Sequence, residues 1–289
     1  MNLLHRLAMF LAASTAFSTG ACAQQIGESS VIRPVAAGAP DAEALVRVAP
    51  GATVEQHAIT AGDGTRLAGT LLRQPSARTT ILYFGGNQFT VGKLGVAAAR
   101  LLAPTGANLM FVDHRGYGQS QGTPTAQNLL TDGVAVFDYL AAVPRVAKTR
   151  IVVHGQSLGS FIAGHVAAER DLAGVVLEST ITTAEEWVRG RAGGIPITIA
   201  PALRGLGNQR NMTRIAEPML LLVGQADDTT PPALSEALFR QSPLAPGRKT
   251  LAVIAGAGHN DVLLKPAGQQ AYRAFLRRLD RSPPRRRSN

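Results

Sequence analysis

The sequence has little cysteine, few aromatic residues and no long apolar run, and each shortage excludes a class of protein. Cys22 is the only cysteine among 289 residues, and it lies close to the amino terminus. The part of the chain that we expect to fold therefore holds no disulfide, no thiolate metal site and no cysteine nucleophile. The His, Asp and Glu residues show no metal-ligand spacing either. We expect neither a metal nor another cofactor.

Aromatic residues make up only 5% of the chain, and between residues 50 and 265 they do not alternate with basic side chains as in a nucleic-acid groove. The formal net charge is +10, but six arginines and one aspartate fall within residues 277–287. Such a charge run is typical of a solvated chain end. We predict a disordered basic tail over residues 280–289 and no nucleic-acid partner.

Residues 1–23 have the pattern of an export signal: a short positive start, an apolar stretch over residues 7–17, and Ala21-Cys22-Ala23 before a cleavage site. The apolar stretch is too short to span a bilayer, which takes about 20 residues. Gly20-Ala21-Cys22 also resembles a bacterial lipoprotein signal, although Thr19 stands where that signal normally has leucine. We predict a protein exported to the periplasm or secreted, either cleaved after Ala23 or lipid-anchored through Cys22.

From residue 51 onward, apolar segments alternate between strand and helix character. Residues 54–59 and 67–72 flank a Gly-Asp-Gly turn and predict an antiparallel hairpin. The later strands are apolar throughout and are separated by helices, which favours a parallel sheet covered on both faces. We predict an α/β fold with a mostly parallel, twisted sheet of about eight strands. The further strands are predicted at 79–84, 108–112, 151–154, 174–177, 219–223 and 250–254, and the helices at 91–102, 126–143, 158–169, 232–241 and 268–279.

Two segments depart from this alternation. Residues 24–50 have no sustained period and are rich in Gly, Pro and Ala, so we predict a linker. Residues 181–216 contain the only tryptophan, Trp187, among several Gly and Pro residues, and we predict a small lid inserted over the strand ends. Trp187 belongs either to lid packing or to the wall of an acyl pocket. The predicted domain that contains this lid covers residues 51–279.

Residues 151–159 hold the first motif that carries chemistry. The apolar run Ile151–Val153 leads into Gly155-x-Ser157-x-Gly159, and a helical pattern follows at once. A strand, a sharp turn and a helix present the serine hydroxyl above the sheet, and the glycines let strand and helix pack closely enough to hold it there. The motif alone is weak evidence because chance matches are common in chains rich in Gly and Ser.

A serine hydroxyl becomes a nucleophile only beside a general base, and the base needs a partner that fixes its tautomer. Asp227 and His259 supply these groups, and each, like Ser157, follows the end of a predicted strand. Because the carboxyl ends of parallel strands meet at one edge of the sheet, we expect the three side chains to lie together. Asp228 and Glu178 stay open as alternatives for the acid, although the Gly-x-x-Asp spacing favours Asp227.

The chain order Ser157, Asp227, His259, together with four segments, resembles the α/β-hydrolase superfamily, in the branch with serine-aminopeptidase-like and acylglycerol-lipase-like domains and small lids. The resemblance covers about residues 54–279. The four segments are Asp113-x-Arg115-Gly-Tyr-Gly-x-Ser120-x-Gly122, Gln156-Ser157-Leu158-Gly159, Gly224-x-x-Asp227 and Gly258-His259. We expect Asp113 and Arg115 to hold the loop after the fourth strand rather than to take part in the chemistry.

The same resemblance locates the oxyanion hole. The branch usually has His-Gly after its third strand, where this chain has Gly85-Gly86-Asn87. By matching position, the hole would use the backbone N–H groups of Leu158 and of Asn87, with Gln88 as the alternative to Asn87. Because the donors are backbone groups, we expect the hole to survive the loss of the histidine.

The sequence therefore predicts a serine hydrolase, similar to carboxylesterases and lipases, that cleaves small-molecule acyl esters through an acyl-enzyme. One alternative is a peptidase or amidase acting on short peptides, since the same three residues serve both reactions. The other is a non-catalytic protein that uses the α/β-hydrolase fold for binding. We expect a monomer and, if Cys22 carries a lipid, peripheral association with a membrane.

Overall fold

The computed structural model describes residues 24–193 and 195–281. The predicted export signal, with Cys22, and the end of the predicted basic tail lie outside the described residues, so both stay predictions. In chain order, the strands are β1 (Gln24–Ile26), β2 (Thr53–Thr60), β3 (Arg66–Arg73), β4 (Thr80–Phe84), β5 (Asn108–Val112), β6 (Ile151–Gln156), β7 (Gly174–Glu178), β8 (Ile197–Ile199), β9 (Met219–Gly224) and β10 (Lys249–Ile254). The α-helices are α1 (Glu28–Val31), α2 (Ala42–Val48), α3 (Val91–Leu102), α4 (Ala126–Ala142), α5 (Leu158–Glu169), α6 (Ala184–Arg191), α7 (Pro232–Gln241) and α8 (Pro266–Arg281).

Eight of these strands form one sheet in the order β10-β9-β7-β6-β4-β5-β3-β2. Strand β3 runs antiparallel to both of its neighbours, β2 and β5, and the other neighbouring pairs are parallel. The predicted α/β fold, with a mostly parallel sheet and an antiparallel first hairpin, is confirmed.

The sheet is covered on both faces, which explains why its central strands are apolar throughout. Side chains of β6 alternate between the two layers: Ile151 and Val153 pack in one hydrophobic cluster and Val152 in the other. Helices α4 and α5 contribute to the first cluster, and α3 and α8 contribute to the second. Full burial of one such branched side chain stabilises the fold by about 1.5–3 kcal/mol.

Threonine caps set where three of the helices begin. The hydroxyl of Thr90 accepts the backbone N–H of Lys93 at the start of α3, and Thr183 plays the same part for α6. Thr125 and Asn128 form a reciprocal capping box at the start of α4. Each cap satisfies a backbone donor that has no acceptor within its helix, and its loss costs about 1 kcal/mol.

Residues 24–50, predicted as a linker, instead contain regular structure that packs on the domain. Strand β1 pairs with β8 in parallel register, and α2 buries Leu45 completely. Val31 and Ile32 belong to the hydrophobic core. The apolar groups here are too short to show a helical or strand period. The partner of β1 lies far away in the sequence, so the local pattern could not predict this pairing either. We call residues 24–40 the N-terminal segment.

The predicted lid, residues 181–216, contains α6 and β8. Leu203, Leu206 and Met212 are buried in the same core cluster as the sheet, so the inner side of this insertion is packed rather than open. Ile195 is half exposed on its outer side. Within the described ranges, no helix is both long and apolar enough to cross a membrane.

Candidate active site

Ser157 occupies the sharp turn between β6 and α5. Its φ of 52° lies in the left-handed region, which residues with a side chain rarely adopt. A Cβ atom at Gly155 would overlap the backbone of Gly159, and one at Gly159 would overlap the carbonyl of Phe84, so both glycines are required here. The N–H of Ser157 donates to the carbonyl of Glu178 at 2.9 Å, which holds the strained turn from β7.

His259 follows β10 and reaches the serine from the neighbouring loop. Its Nε2 atom lies 3.0 Å from Ser157 Oγ, and its Nδ1 atom lies 2.9 Å and 3.1 Å from the two carboxylate oxygens of Asp227. A proton on Nδ1 that is donated to the carboxylate leaves Nε2 free to accept from the serine hydroxyl. The side chain of His259 is 13% exposed, so the imidazole is accessible from solvent.

Asp227 follows β9 and is buried. Its Oδ1 accepts the backbone N–H groups of Thr229 at 2.9 Å and Thr230 at 2.7 Å, and its Oδ2 accepts the hydroxyl of Thr230 at 2.8 Å. Burial alone would raise the pKa of Asp227, but the hydrogen bond and charge of His259 and the donors of Thr230 outweigh it and hold that pKa below its usual value. The carboxylate is therefore kept ionised beside the imidazole.

The two other carboxylates considered for the acid lie elsewhere. Glu178 is buried, with Oε2 2.9 Å from Nε2 of His154, a histidine within the sheet. Asp228 is exposed, and its backbone carbonyl accepts from the guanidinium of Arg191 at 2.7 Å. Of these carboxylates, Asp227 is the one that contacts His259.

A cavity of about 430 Å³ opens beside Ser157 and His259. Its apolar wall consists of Val31, Leu158, Phe161, Ile181 and Trp187. The indole N–H of Trp187 donates to the carbonyl of Thr229 at 2.6 Å, which ties α6 to the loop after β9. Trp187 thus lines the cavity and also packs the inserted segment.

Asn87 and Leu158 line this cavity together with Ser157. Leu158 is the first residue of α5, so its N–H has no acceptor within the helix. The side chain of Asn87 is engaged elsewhere: Oδ1 accepts the Arg33 N–H at 3.0 Å and the Tyr117 hydroxyl at 2.8 Å, and Nδ2 donates to the Val31 carbonyl. Burial raises the pKa of Tyr117 to about 12, so its hydroxyl remains a donor. Any oxyanion contact from Asn87 would come from its backbone.

The loop Gly85-Gly86-Asn87, after β4, has no histidine of its own, and a histidine from another loop holds it. His114, after β5, is buried, and its Nε2 donates to the carbonyl of Gly85 at 2.8 Å. Burial lowers the pKa of His114, which favours the neutral ring. A hydrogen bond to the loop is therefore present although the loop's own histidine is not.

Comparisons with known proteins agree with this architecture. A sequence model of the serine aminopeptidase S33 family matches residues 75–205. Human alpha/beta hydrolase domain-containing protein 17B is 29% identical over 220 residues, which cover 75% of this chain and 70% of the relative. Uncharacterized protein Rv2307c of Mycobacterium tuberculosis is 31% identical over 236 residues, covering 79% of this chain and 78% of the relative. The chain belongs to the α/β-hydrolase superfamily.

A solved structure shows the same fold. The esterase Pf2001 of Pyrococcus furiosus superposes with a TM-score of 0.70 at 18% identity, over 86% of this chain and 98% of that chain. At this identity the likeness establishes the α/β-hydrolase fold and no more. Superfamily membership supports a hydrolase.

In this α/β-hydrolase, Asp113 and Arg115 hold loops at the carboxyl edge of the sheet and do not line the cavity. Asp113 accepts the N–H of Val91 at 2.7 Å, which fixes the start of α3. Arg115 binds both oxygens of Asp132 at 2.7–2.8 Å and both oxygens of Asp63 at 2.7–3.0 Å. These contacts join the first hairpin to α4.

Sequence reasoning missed several residues around the site. The contact of Thr230 with Asp227 could have been predicted locally. An aspartate followed by threonines and proline is typical of a turn in which the carboxylate accepts the backbone N–H groups of the next residues. Gln156 donates weakly to Asn260 Oδ1 at 3.3 Å and lines the cavity, and nothing local predicts this. Arg33 lines it from a segment predicted as a linker. In the part of the chain that the structure describes, no cluster of His, Cys, Asp and Glu could hold a metal ion.

Proposed function

We propose that the protein is a serine hydrolase that cleaves carboxylic esters through an acyl-enzyme. The observation that carries the proposal is the continuous set of contacts from Ser157 Oγ to His259 Nε2, at 3.0 Å, and from His259 Nδ1 to Asp227 Oδ2, at 2.9 Å. These contacts border a cavity whose size suits a small-molecule ligand.

In the proposed acylation step, Ser157 Oγ attacks the ester carbonyl carbon while its proton passes to His259 Nε2. Asp227 stays ionised and stabilises the imidazolium that forms. The depressed pKa of Asp227 supports this part, because the carboxylate must remain an acceptor throughout. His259 then gives the proton to the leaving alcohol, and the acyl group stays on Ser157.

The tetrahedral intermediate carries its negative charge on the former carbonyl oxygen. We assign its stabilisation to the backbone N–H groups of Leu158 and Asn87, each worth about 3–4 kcal/mol in the transition state. In deacylation, His259 takes a proton from water as the water oxygen attacks the acyl carbon. The bond from that carbon to Ser157 Oγ then breaks, the carboxylic acid leaves, and His259 returns the proton to Ser157.

The lining of the cavity favours esters over peptides. An aminopeptidase binds the charged amine of its substrate, and a carboxylate is the side chain suited to that task. Among the described residues that line the cavity none is Asp or Glu. The apolar wall around Ser157 suits an acyl chain instead. The amidase alternative therefore has less support.

Two assays test the proposal. A fluorophosphonate probe should label the wild type and leave Ser157→Ala unlabelled, which also separates an enzyme from a non-catalytic protein of the same fold. Hydrolysis is then compared across p-nitrophenyl esters of graded acyl length and amino-acid p-nitroanilides. Cleavage of the anilides alone would replace the esterase proposal with the peptidase, and an unlabelled, inactive wild type would favour the binding protein.

Export is proposed separately, on the pattern of residues 1–23. Expression of the full chain in a bacterial host with fractionation should place it outside the cytoplasm. Release of Cys22→Ser from the membrane fraction, with retention of the wild type, supports a lipid anchor; equal solubility of both supports cleavage after Ala23.

A further inference from the structure

Arg33 lines the cavity beside Ser157 and carries a permanent positive charge. Among the described residues lining this cavity, it is the only Arg or Lys, and neither Asp nor Glu accompanies it. His259 is the other lining residue that can carry charge. Asp228 and Arg191 lie next to Thr229, but neither lines the cavity.

The backbone of Arg33 is fixed at this position. Its N–H donates to Asn87 Oδ1, and the carbonyl of Val31, two residues earlier, accepts from Asn87 Nδ2. Val31 and Ile32 are buried in the core, so the chain cannot swing freely at this point. Asn87 thus ties the N-terminal segment to the loop that carries the proposed oxyanion donor.

Arg33 is exposed, and the described residues form no ion pair with its guanidinium. A buried arginine that serves the fold meets a carboxylate, as Arg115 meets Asp132 in this protein. Arg33 instead offers unused donors at the mouth of a cavity with an apolar wall. A guanidinium in such a place binds a carboxylate through two parallel hydrogen bonds.

We propose that Arg33 is a specificity-determining residue that binds an anionic group, a carboxylate in the simplest case, on the ester substrate. The substrate class is then an ester with one negative charge placed away from the scissile bond. This inference rests on the proposed esterase function, since it concerns a substrate held at the same cavity.

The test uses two pairs of esters that differ in charge and little else. The acetate ester of 4-hydroxybenzoate is compared with that of 4-hydroxybenzamide, which places the charge on the leaving group. 4-Nitrophenyl hydrogen suberate is compared with 4-nitrophenyl octanoate, which places it on the acyl group. The esters are assayed with wild type, Arg33→Gln and Arg33→Lys. Arg100→Gln is the matched control, because it removes an exposed arginine that does not line the cavity.

We expect wild type to prefer the anionic ester in at least one pair by about tenfold in kcat/KM, through KM. Arg33→Gln should lose that preference through a higher KM for the anionic ester, because the guanidinium is removed while the backbone contacts to Asn87 remain. Arg33→Lys should retain part of the preference, and Arg100→Gln should retain all of it. Added salt should reduce it, since the guanidinium is exposed.

The inference is overturned if the wild type shows no charge preference in either pair, or if Arg33→Gln keeps it. In both cases Ser157-dependent hydrolysis of the neutral esters leaves the esterase proposal intact. Absence of any Ser157-dependent hydrolysis overturns both proposals, so the two failures are distinguishable.

Discussion

Thr230 holds Asp227 at two points: its backbone N–H donates to Oδ1 at 2.7 Å and its hydroxyl donates to Oδ2 at 2.8 Å. The same hydroxyl lies 3.1 Å from His259 Nδ1. The carboxylate is thereby fixed in the orientation that meets the imidazole. In the proposed mechanism, Thr230 is a positioning residue that acts through Asp227.

Thr230→Val should lower kcat by about tenfold, because it removes a hydrogen bond to a charged group and preserves the shape of the side chain. Steady-state kinetics on a p-nitrophenyl ester measure the effect. Thr229→Val is the matched control, since the Thr229 hydroxyl reaches only Asp228, at 3.4 Å, and its N–H to Asp227 is kept. Equal losses in the two variants would contradict the positioning role.

The choice between Asp227 and Glu178 as the acid can be tested with two conservative variants. Asp227→Asn should lower kcat by about 10⁴-fold, because the amide favours the wrong tautomer of His259. Glu178→Gln should keep kcat within a few fold, since this side chain faces His154 and its backbone contact to Ser157 remains. A large loss of kcat in a folded Glu178→Gln protein would reverse the assignment.

Several element boundaries follow from the sequence because local chemistry determines them. Helix α3 spans the predicted Val91–Leu102, where Thr90 caps its first turn and Pro104 follows its last. Helix α7 begins at the predicted Pro232, a residue whose missing N–H suits a first helical position. The positions of Ser157, Asp227 and His259 at one sheet edge follow equally from topology, since parallel strands share that edge.

The N-terminal segment could not be predicted in this way. Strand β1 is defined by its pairing with β8, and Val31 and Ile32 are buried only because the domain offers them a surface. Such contacts depend on the tertiary structure, and a two-residue apolar group has no period. The position of Arg33 at the cavity could not be predicted from the sequence for the same reason.

Asn87→Ala should detach this segment while leaving the loop backbone in place. Three hydrogen bonds are lost, and at about 1 kcal/mol each the free energy of unfolding should fall by roughly 2–3 kcal/mol. Limited proteolysis should cut within residues 24–40 before it cuts the domain. The neighbouring Gln88→Ala, which removes an exposed side chain, should behave as wild type. If residues 24–40 stayed uncut in Asn87→Ala, the remaining contacts of the N-terminal segment would be sufficient to hold it on the domain.

Two arginine–aspartate pairs of similar geometry differ in burial and should therefore differ in how much they contribute to the free energy of unfolding. Arg115 binds both oxygens of Asp132, and both side chains are at most 7% exposed. Arg115→Ala leaves that carboxylate buried without its cation and should reduce the free energy of unfolding by about 3–5 kcal/mol.

Arg170 binds both oxygens of Asp138 at 2.8 Å, but these side chains are a third to a half exposed. Arg170→Ala should therefore cost less than about 1 kcal/mol. Urea unfolding of the two variants gives the comparison. Equal losses would mean that burial does not decide the strength of these pairs in this fold.

The depressed pKa of Asp227 also predicts a pH dependence of stability. A carboxyl whose pKa is lower in the folded state than in the unfolded chain binds fewer protons when folded, so it contributes stability at pH above its unfolded value of about 3.9. That contribution is lost as the pH falls through the folded pKa. Urea midpoints of wild type and Asp227→Asn, measured from pH 7 down to pH 3, should therefore differ most at the upper end, and the difference should begin to shrink below about pH 4.

Asp228→Asn is the control for this series, because it removes the neighbouring exposed carboxylate and leaves the contacts of Asp227 with His259 and Thr230 in place. Its midpoint should stay close to that of the wild type throughout. If the gap between wild type and Asp227→Asn instead widened as the pH fell, the folded protein would hold the protonated form of Asp227 more tightly than the ionised form. The buried carboxyl would then be stabilised as a neutral acid, which is incompatible with its assigned role beside the imidazolium.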